Sequence, residues 1–164
     1  MGTVYAGTHS GIFKSTDNGQ SWTAVSSLLA PSSNIASAIL PDPLNDAVLY
    51  ATDNNGAIFR SQDSGNRWSL LALPTACSGI VTPDIAQSGK LYLGACSGFY
   101  VSTNGGANWS LVSNTGINIG SVVQAKSRPQ RMYSLVPDAF PLVHLYISSD
   151  AGGDMDLISS GRCN

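Results

Sequence analysis

Four short segments of this chain repeat one pattern, and that repetition limits the possible folds more than any other feature. Ser15-Thr16-Asp17-Asn18-Gly19-Gln20-Ser21-Trp22 is echoed by Ser61-Gln62-Asp63-Ser64-Gly65-Asn66-Arg67-Trp68 and by Ser102-Thr103-Asn104-Gly105-Gly106-Ala107-Asn108-Trp109. A weaker fourth copy, Ser148-Ser149-Asp150-Ala151-Gly152-Gly153-Asp154-Met155, carries Met in place of Trp. The leading serines stand at positions 15, 61, 102 and 148, in steps of 46, 41 and 46 residues. All three tryptophans of the chain are used in this pattern. Self-similarity at such a period is the mark of a repeat architecture, in which each unit is one supersecondary motif.

The pattern Ser-x-Asp/Asn-x-Gly-x-x-Trp reads as a β-hairpin turn. Asp or Asn followed two residues later by Gly suits a turn that ends in a left-handed backbone position. The carboxylate accepts hydrogen bonds from the turn amides, and Trp covers the turn as the chain leaves on the next strand. A strand precedes each turn: Ile12-Phe13-Lys14, Ile58-Phe59-Arg60, Phe99-Tyr100-Val101 and Leu145-Tyr146-Ile147. Before these come Val4-Tyr5-Ala6, Leu49-Tyr50-Ala51, Leu91-Tyr92-Leu93 and Met132-Tyr133-Ser134. After the turns come Thr23-Ala24-Val25, Ser69-Leu70-Leu71, Ser110-Leu111-Val112 and Asp156-Leu157-Ile158. A further upstream strand is read in three units only, over residues 35–40, 80–85 and 122–125. Four short strands per unit, separated by turn signals, predict an all-β chain of β-propeller blades at approximately 1–30, 31–74, 75–114 and 115–160, within one domain spanning 1–164. The first blade lacks its inner strand. Residues 159–164 are too polar and short to supply it, so a partial or open propeller of about four blades is expected, with a closed four-bladed ring as the alternative.

Composition agrees. Only 11% of residues are charged, all ten acidic residues are Asp, and Glu is absent. Solvent-facing helices are usually rich in Glu and Lys, so an all-helical fold is disfavoured. Lys plus Arg number 8 against 10 acidic residues, a net charge of −2 that leaves no basic excess for nucleic acid. The longest apolar runs, such as Leu70 to Leu73, are far below the ~20 residues of a membrane span. Met1-Gly2-Thr3 leads directly into a strand, with no signal-peptide pattern read before it.

The repeated element resembles the Asp-box, or BNR repeat, of propellers in sialidases, xyloglucan-degrading glycoside hydrolases, sortilin-type receptors and a photosystem II assembly factor. The segment Leu40-Pro41-Asp42-Pro43-Leu44-Asn45-Asp46-Ala47-Val48-Leu49-Tyr50-Ala51 is also similar to those proteins. The resemblance implies a structural role for Ser15, Asp17, Gly19 and Trp22, for Ser61, Asp63, Gly65 and Trp68, for Ser102, Asn104, Gly106 and Trp109, and for Ser148, Asp150 and Gly152. With strands numbered one to four from the inside, these turns join three to four and share an end with the one-to-two turns. The resemblance places ligands at the other end, on the two-to-three loops Gly7 to Ser10, Thr52 to Asn55, Ala95 to Ser97 and Val136 to His144. Ligand-face candidates are therefore His9, Asp53, Asn54, Asn55, Ser97, Asp138, Phe140 and His144. The separation from strand-two Tyr to turn Ser is 10, 11, 10 and then 15 residues, so the last loop carries an insertion around Pro137-Asp138-Ala139-Phe140-Pro141. That insertion is either a binding feature or the irregularity of a terminal repeat.

A complete sialidase site is excluded: it needs Glu, and Arg60, Arg67, Arg128 and Arg131 fall away from the ligand end. Other glycosidases need two carboxylates about 5–9 Å apart. Only Asp53 and Asp138 are available, on non-adjacent blades. Thr52-Asp53-Asn54-Asn55-Gly56 resembles the Thr-Asp-x-Gly-Gly stretch of xyloglucanases but departs from it at Asn55. No cofactor is expected, and no metal-ligand spacing is present. The favoured reading is a non-catalytic binding or scaffolding module for a glycan, peptide or protein, with possible self-association through open edges. The alternative is a fragment of a glycoside hydrolase. Cys77 and Cys96 are read either as a disulfide, which favours an extracellular or periplasmic setting, or as two thiols; Cys163 is left over. Asn108-Trp109-Ser110 matches the N-glycosylation pattern, but it falls inside a repeat turn and is read there as coincidental.

Overall fold

A computed structural model of the chain describes residues 2–8, 10–25, 36–53, 56–74, 80–95, 98–113, 119–137, 142–150 and 156–162. Among these every regular element is a β-strand, and each sheet is an antiparallel meander in sequence order. The chain divides into two compact units, Met1–Leu71 and Ala72–Asn164.

The first unit holds a three-stranded and a four-stranded sheet. The three-stranded sheet is β1 (Val4–Thr8), β2 (Gly11–Ser15) and β3 (Thr23–Ala24). The other is β4 (Ala36–Asp42), β5 (Asn45–Asp53), β6 (Ile58–Ser61) and β7 (Ser69–Leu70). Burial is graded across the second sheet. Residues 48–53 of β5 are all buried, whereas both residues of β7 are exposed. A strand covered on both faces reads as a continuous apolar run, as Val48-Leu49-Tyr50-Ala51 does, while an edge strand needs no such run. Ile12, Leu49, Ala51 and Trp68 form the core, with Tyr5, Val25, Ile39 and Phe59 packed against it.

The second unit holds two four-stranded sheets. One is β8 (Ile80–Pro83), β9 (Leu91–Ala95), β10 (Gly98–Ser102) and β11 (Ser110–Ser113). The other is β12 (Val122–Ala125), β13 (Arg128–Pro137), β14 (Leu142–Ser148) and β15 (Asp156–Arg162). Tyr92, Phe99, Ile119, Val122, Met132 and Val136 make its core, and the Tyr92 and Phe99 rings stack with centroids 5.8 Å apart.

Several strand boundaries differ from the sequence expectation, and two of the differences, in the last sheet, change its reading. The last strand continues past Ile158 to Arg162, paired with β14 down to Leu142↔Arg162. Backbone ladders form regardless of side-chain polarity, so the polar Ser159-Ser160-Gly161 stretch pairs as readily as an apolar one. The loop expected over Val136 to His144 is also shorter. Val136↔His144 and Pro137↔Val143 are cross-strand pairs, so part of the insertion lengthens the hairpin.

Ser134 adds a testable detail. It is 1% exposed, and its Oγ is buried without a hydrogen-bond partner. Alanine occupies the equivalent place after the strand-two tyrosine in the first two repeats, at Ala6 and Ala51. Ser134→Ala is expected to raise stability by about 1 kcal/mol, because it removes a desolvated hydroxyl without leaving a sizeable cavity. Equilibrium urea unfolding checks this; a loss of stability would contradict it.

Candidate functional site

The repeated turns are built from the Ser and Asp/Asn side chains. In the first, Ser15 Oγ donates to Asp17 Oδ1 (2.7 Å) and accepts from the Gly19 amide (2.8 Å), and the Ser21 amide donates to Asp17 Oδ1 (2.9 Å). The second repeats this, with Ser61 Oγ to Asp63 Oδ1 (2.9 Å), Gly65 N to Ser61 Oγ (2.9 Å) and Arg67 N to Asp63 Oδ1 (2.8 Å). In the third, Ser102, Asn104, Gly106 and the Asn108 amide stand in the same relations. In the fourth, Ser148 Oγ donates to Asp150 Oδ1 (2.7 Å); Gly152 lies outside the described residues.

The first three turns each spend two left-handed positions: Asn18 and Gly19 (φ 61° and 90°), Ser64 and Gly65 (58° and 87°), Gly105 and Gly106 (70° and 87°). The Trp22 and Trp68 indoles donate to the Gly19 and Gly65 carbonyls at 3.0 and 2.9 Å. Trp109 differs, its Nε1 being buried without a partner. The hydrogen bond from Ser15, then those from Ser21, hold the Asp17 carboxyl well below the usual range. Asp63 is lowered too, first by the Arg67 amide. These carboxylates are anions committed to holding a turn.

The turns also tie to the opposite corner of their own sheet. Ser64 N donates to Ala47 O (2.9 Å) and Gly105 N to Gly89 O (2.7 Å), so three-to-four and one-to-two turns share one end. Two acidic residues at that end carry a role that the repeat pattern did not single out. Asp42, 1% exposed, accepts the Leu44 amide. Asp84, 5% exposed, accepts the Ala86 and Gln87 amides on Oδ1. Its Oδ2 accepts from the Tyr92 hydroxyl and from Gln124 Nε2 (3.2 Å), with Lys90 Nζ at 3.7 Å. Gln124 belongs to the neighbouring sheet, and its Oε1 accepts the Ile85 amide. Burial pushes the Asp84 carboxyl up, but the bonds from Tyr92, Ala86 and Gln124 and the Lys90 charge outweigh it, and the net shift is downward. Burial and the adjacent Asp84 push the Tyr92 phenol up. The Pro-Asp that recurs eight residues before two of the four strand-two tyrosines, as Pro41-Asp42 before Tyr50 and Pro83-Asp84 before Tyr92, was the available signal.

The other end carries the two-to-three loops. In the first sheet Thr8 Oγ1 donates to Gly11 O and accepts the Ser10 amide. In the second, Asp53 takes the equivalent post: it is 4% exposed, and its Oδ1 accepts the Ala57 amide at 2.8 Å. Asp53 N and O also pair with Ala57 O and Gly56 N. His144 is half-buried in β14 beside the Tyr146 ring, a strand residue of the second unit. His9, Asn54, Asn55, Ser97, Asp138, Phe140, Cys77, Cys96 and Cys163 lie outside the described residues. Among the described residues no three His, Cys, Asp or Glu side chains gather as a metal site, and no helix is long and apolar enough to cross a membrane.

No protein-family model matches the chain. A xyloglucanase of Hypocrea jecorina is 33% identical over 137 residues, which is 69% of this chain and 16% of that protein. Among solved structures, the GH74 xyloglucanase from Xanthomonas campestris superposes on 96% of this chain with a TM-score of 0.75 at 22% identity. A chain of the nidogen/laminin complex does so with a TM-score of 0.67 at 17% identity. The chain has the β-propeller fold. Each sheet is thus a blade of that fold. The propeller chain spans 16% of the curated relative, 29% of the Xanthomonas chain and 61% of the nidogen/laminin chain.

Proposed function

We propose that these blades recognise a β-glucan of the xyloglucan type through their two-to-three loops, and that the chain supplies no complete hydrolytic pair of its own. The observation that carries this is the 33% identity over 137 residues to a xyloglucanase. The placement of carboxylates supports the second half. Asp53 is the single described carboxylate at the two-to-three end, and it caps a turn from a buried position. Among the described residues Asp17, Asp42, Asp46, Asp63, Asp84, Asp150 and Asp156 all lie at or next to one-to-two or three-to-four turns. Glycoside hydrolysis needs two carboxyl groups within about 5–9 Å.

Affinity electrophoresis through gels containing xyloglucan, with an unbranched β-glucan gel as reference, tests the reading. The expected result is retardation by xyloglucan with no release of reducing ends. Asp53→Asn, which keeps an oxygen for the Ala57 amide, should be retarded equally. Reducing-end release that Asp53→Asn abolishes would instead establish the hydrolase-fragment reading. Absence of retardation in either gel would overturn the glycan proposal and favour a protein or peptide partner.

A further inference from the structure

The one Asn-x-Ser/Thr pattern in the 164 residues is Asn108-Trp109-Ser110, and the third turn presents it in a form that the other turns do not. In the first turn the residue at this position, Ser21, is held by both oxygens of the turn carboxylate: its amide by Asp17 Oδ1 and its hydroxyl by Oδ2 (2.6 Å). The third turn has Asn104 in place of Asp. Its Oδ1 accepts from Ser102 Oγ (3.0 Å) and from the Asn108 amide (2.9 Å), as a carboxylate would. Its second side-chain atom is an NH2 group, a donor, where Asp17 has a second acceptor oxygen. The Asn108 carboxamide is exposed and makes no hydrogen bond among the described residues, to that NH2 or to any other group.

The two flanking residues complete the arrangement. Ser110 is exposed at the start of β11, and Asn108 and Ser110 line the same open cleft of about 420 Å³. Trp109 between them is partly buried, with its indole nitrogen wholly so. A free acceptor amide and the required hydroxyl therefore face solvent together.

We propose that Asn108 is an N-linked glycosylation site. The donor is an oligosaccharide on a lipid pyrophosphate. Asn108 Nδ2 forms a bond to sugar C1, the C1–oxygen bond to the pyrophosphate breaks with its electron pair leaving on the phosphate, and the amide proton passes to solvent. The glycan would cover the cleft formed with Lys90, Thr103 and Asp150 at the three-to-four end of the blades. The two-to-three loops stay clear, so the modification is compatible with the glycan-binding proposal without depending on it.

The test is secretion of the full chain from yeast behind a leader, with peptide mass analysis before and after enzymatic removal of N-glycans. The expected result is a hexose-bearing peptide containing Asn108 that becomes Asp on deglycosylation. Ser110→Thr should raise its occupancy, and Ser110→Ala and Asn108→Gln should abolish it. Secreted, folded wild-type and Ser110→Thr chains with unmodified Asn108 would overturn the assignment. So would glycan that persists in Ser110→Ala.

Discussion

Asp84→Ala is expected to cost about 3 kcal/mol, the low end for breaking a buried charged pair, because Lys90 at 19% exposure can partly return to water. The substitution strips the acceptor from the Tyr92 hydroxyl and from Gln124 Nε2 while both stay buried. Left unsatisfied, each carries a desolvation penalty of its own. In a chain of this size the loss corresponds to a fall in melting temperature of roughly 6–12 °C. Because Gln124 comes from the adjacent blade, the carboxylate is a junction between blades as well as a turn cap. A double-mutant cycle with Gln124→Ala should show coupling well above the error of the cycle, and additive losses would contradict the junction.

The same carboxylate carries a pH dependence. Its folded-state affinity for protons is below that of the unfolded chain, so the unfolded state binds more protons at mildly acidic pH. Its contribution is complete above the ordinary carboxylate value of about 4 and is lost as pH falls through the lower folded value. Wild type should therefore lose part of its advantage over Asp84→Ala as the buffer is taken below pH 4.

Gly94→Ala is expected to cost about 3 kcal/mol or more, for a steric reason. A Cβ at this position would stand against the Gly120 carbonyl oxygen, 2.6 Å from Ile119 O and 2.8 Å from Ile119 Cγ2. Ile119 is 2% exposed and donates its amide to Ala95 O at 3.2 Å, so the segment entering the fourth blade is pinned across β9 at the point of closest approach. Backbone atoms on both sides must give way. The second blade carries Thr52 at the equivalent position of its second strand, so the strand itself tolerates a side chain there. Thermal unfolding of Gly94→Ala checks the expectation; an unchanged melting temperature would mean that the 119–120 segment does not cross there.

The turns were legible because each of their residues has one local job. Ser, Asp and Gly bond to one another within five residues, and that logic survives in a linear pattern. The alternation of ends was legible for the same reason, since it follows from counting strands. Asp84 was not legible because its partner Gln124 is 40 residues away and the fourth blade has Ala125 in the corresponding place. Gly94 was hidden for a similar reason, its constraint lying in residues 119–120. The extension of β15 through Ser159-Ser160-Gly161 was missed because apolar patterning reports side-chain burial, whereas the ladder is made by the backbone. At the candidate ligand end, Asp53 stood out in the sequence as one of two ligand-face carboxylates, with Asp138. The structure shows it accepting the Ala57 amide, a local bond of the same kind as those in the repeated turns.

Hydrogen exchange measured by mass spectrometry, with and without a xyloglucan oligosaccharide, tests the central claim most directly. The account predicts slower exchange of amides around Asp53 and Ala57 and of the other two-to-three loops, with the turns at 15–22, 61–68 and 102–109 unchanged. Slowing confined to those three turns, or no change anywhere at saturating oligosaccharide, would contradict it.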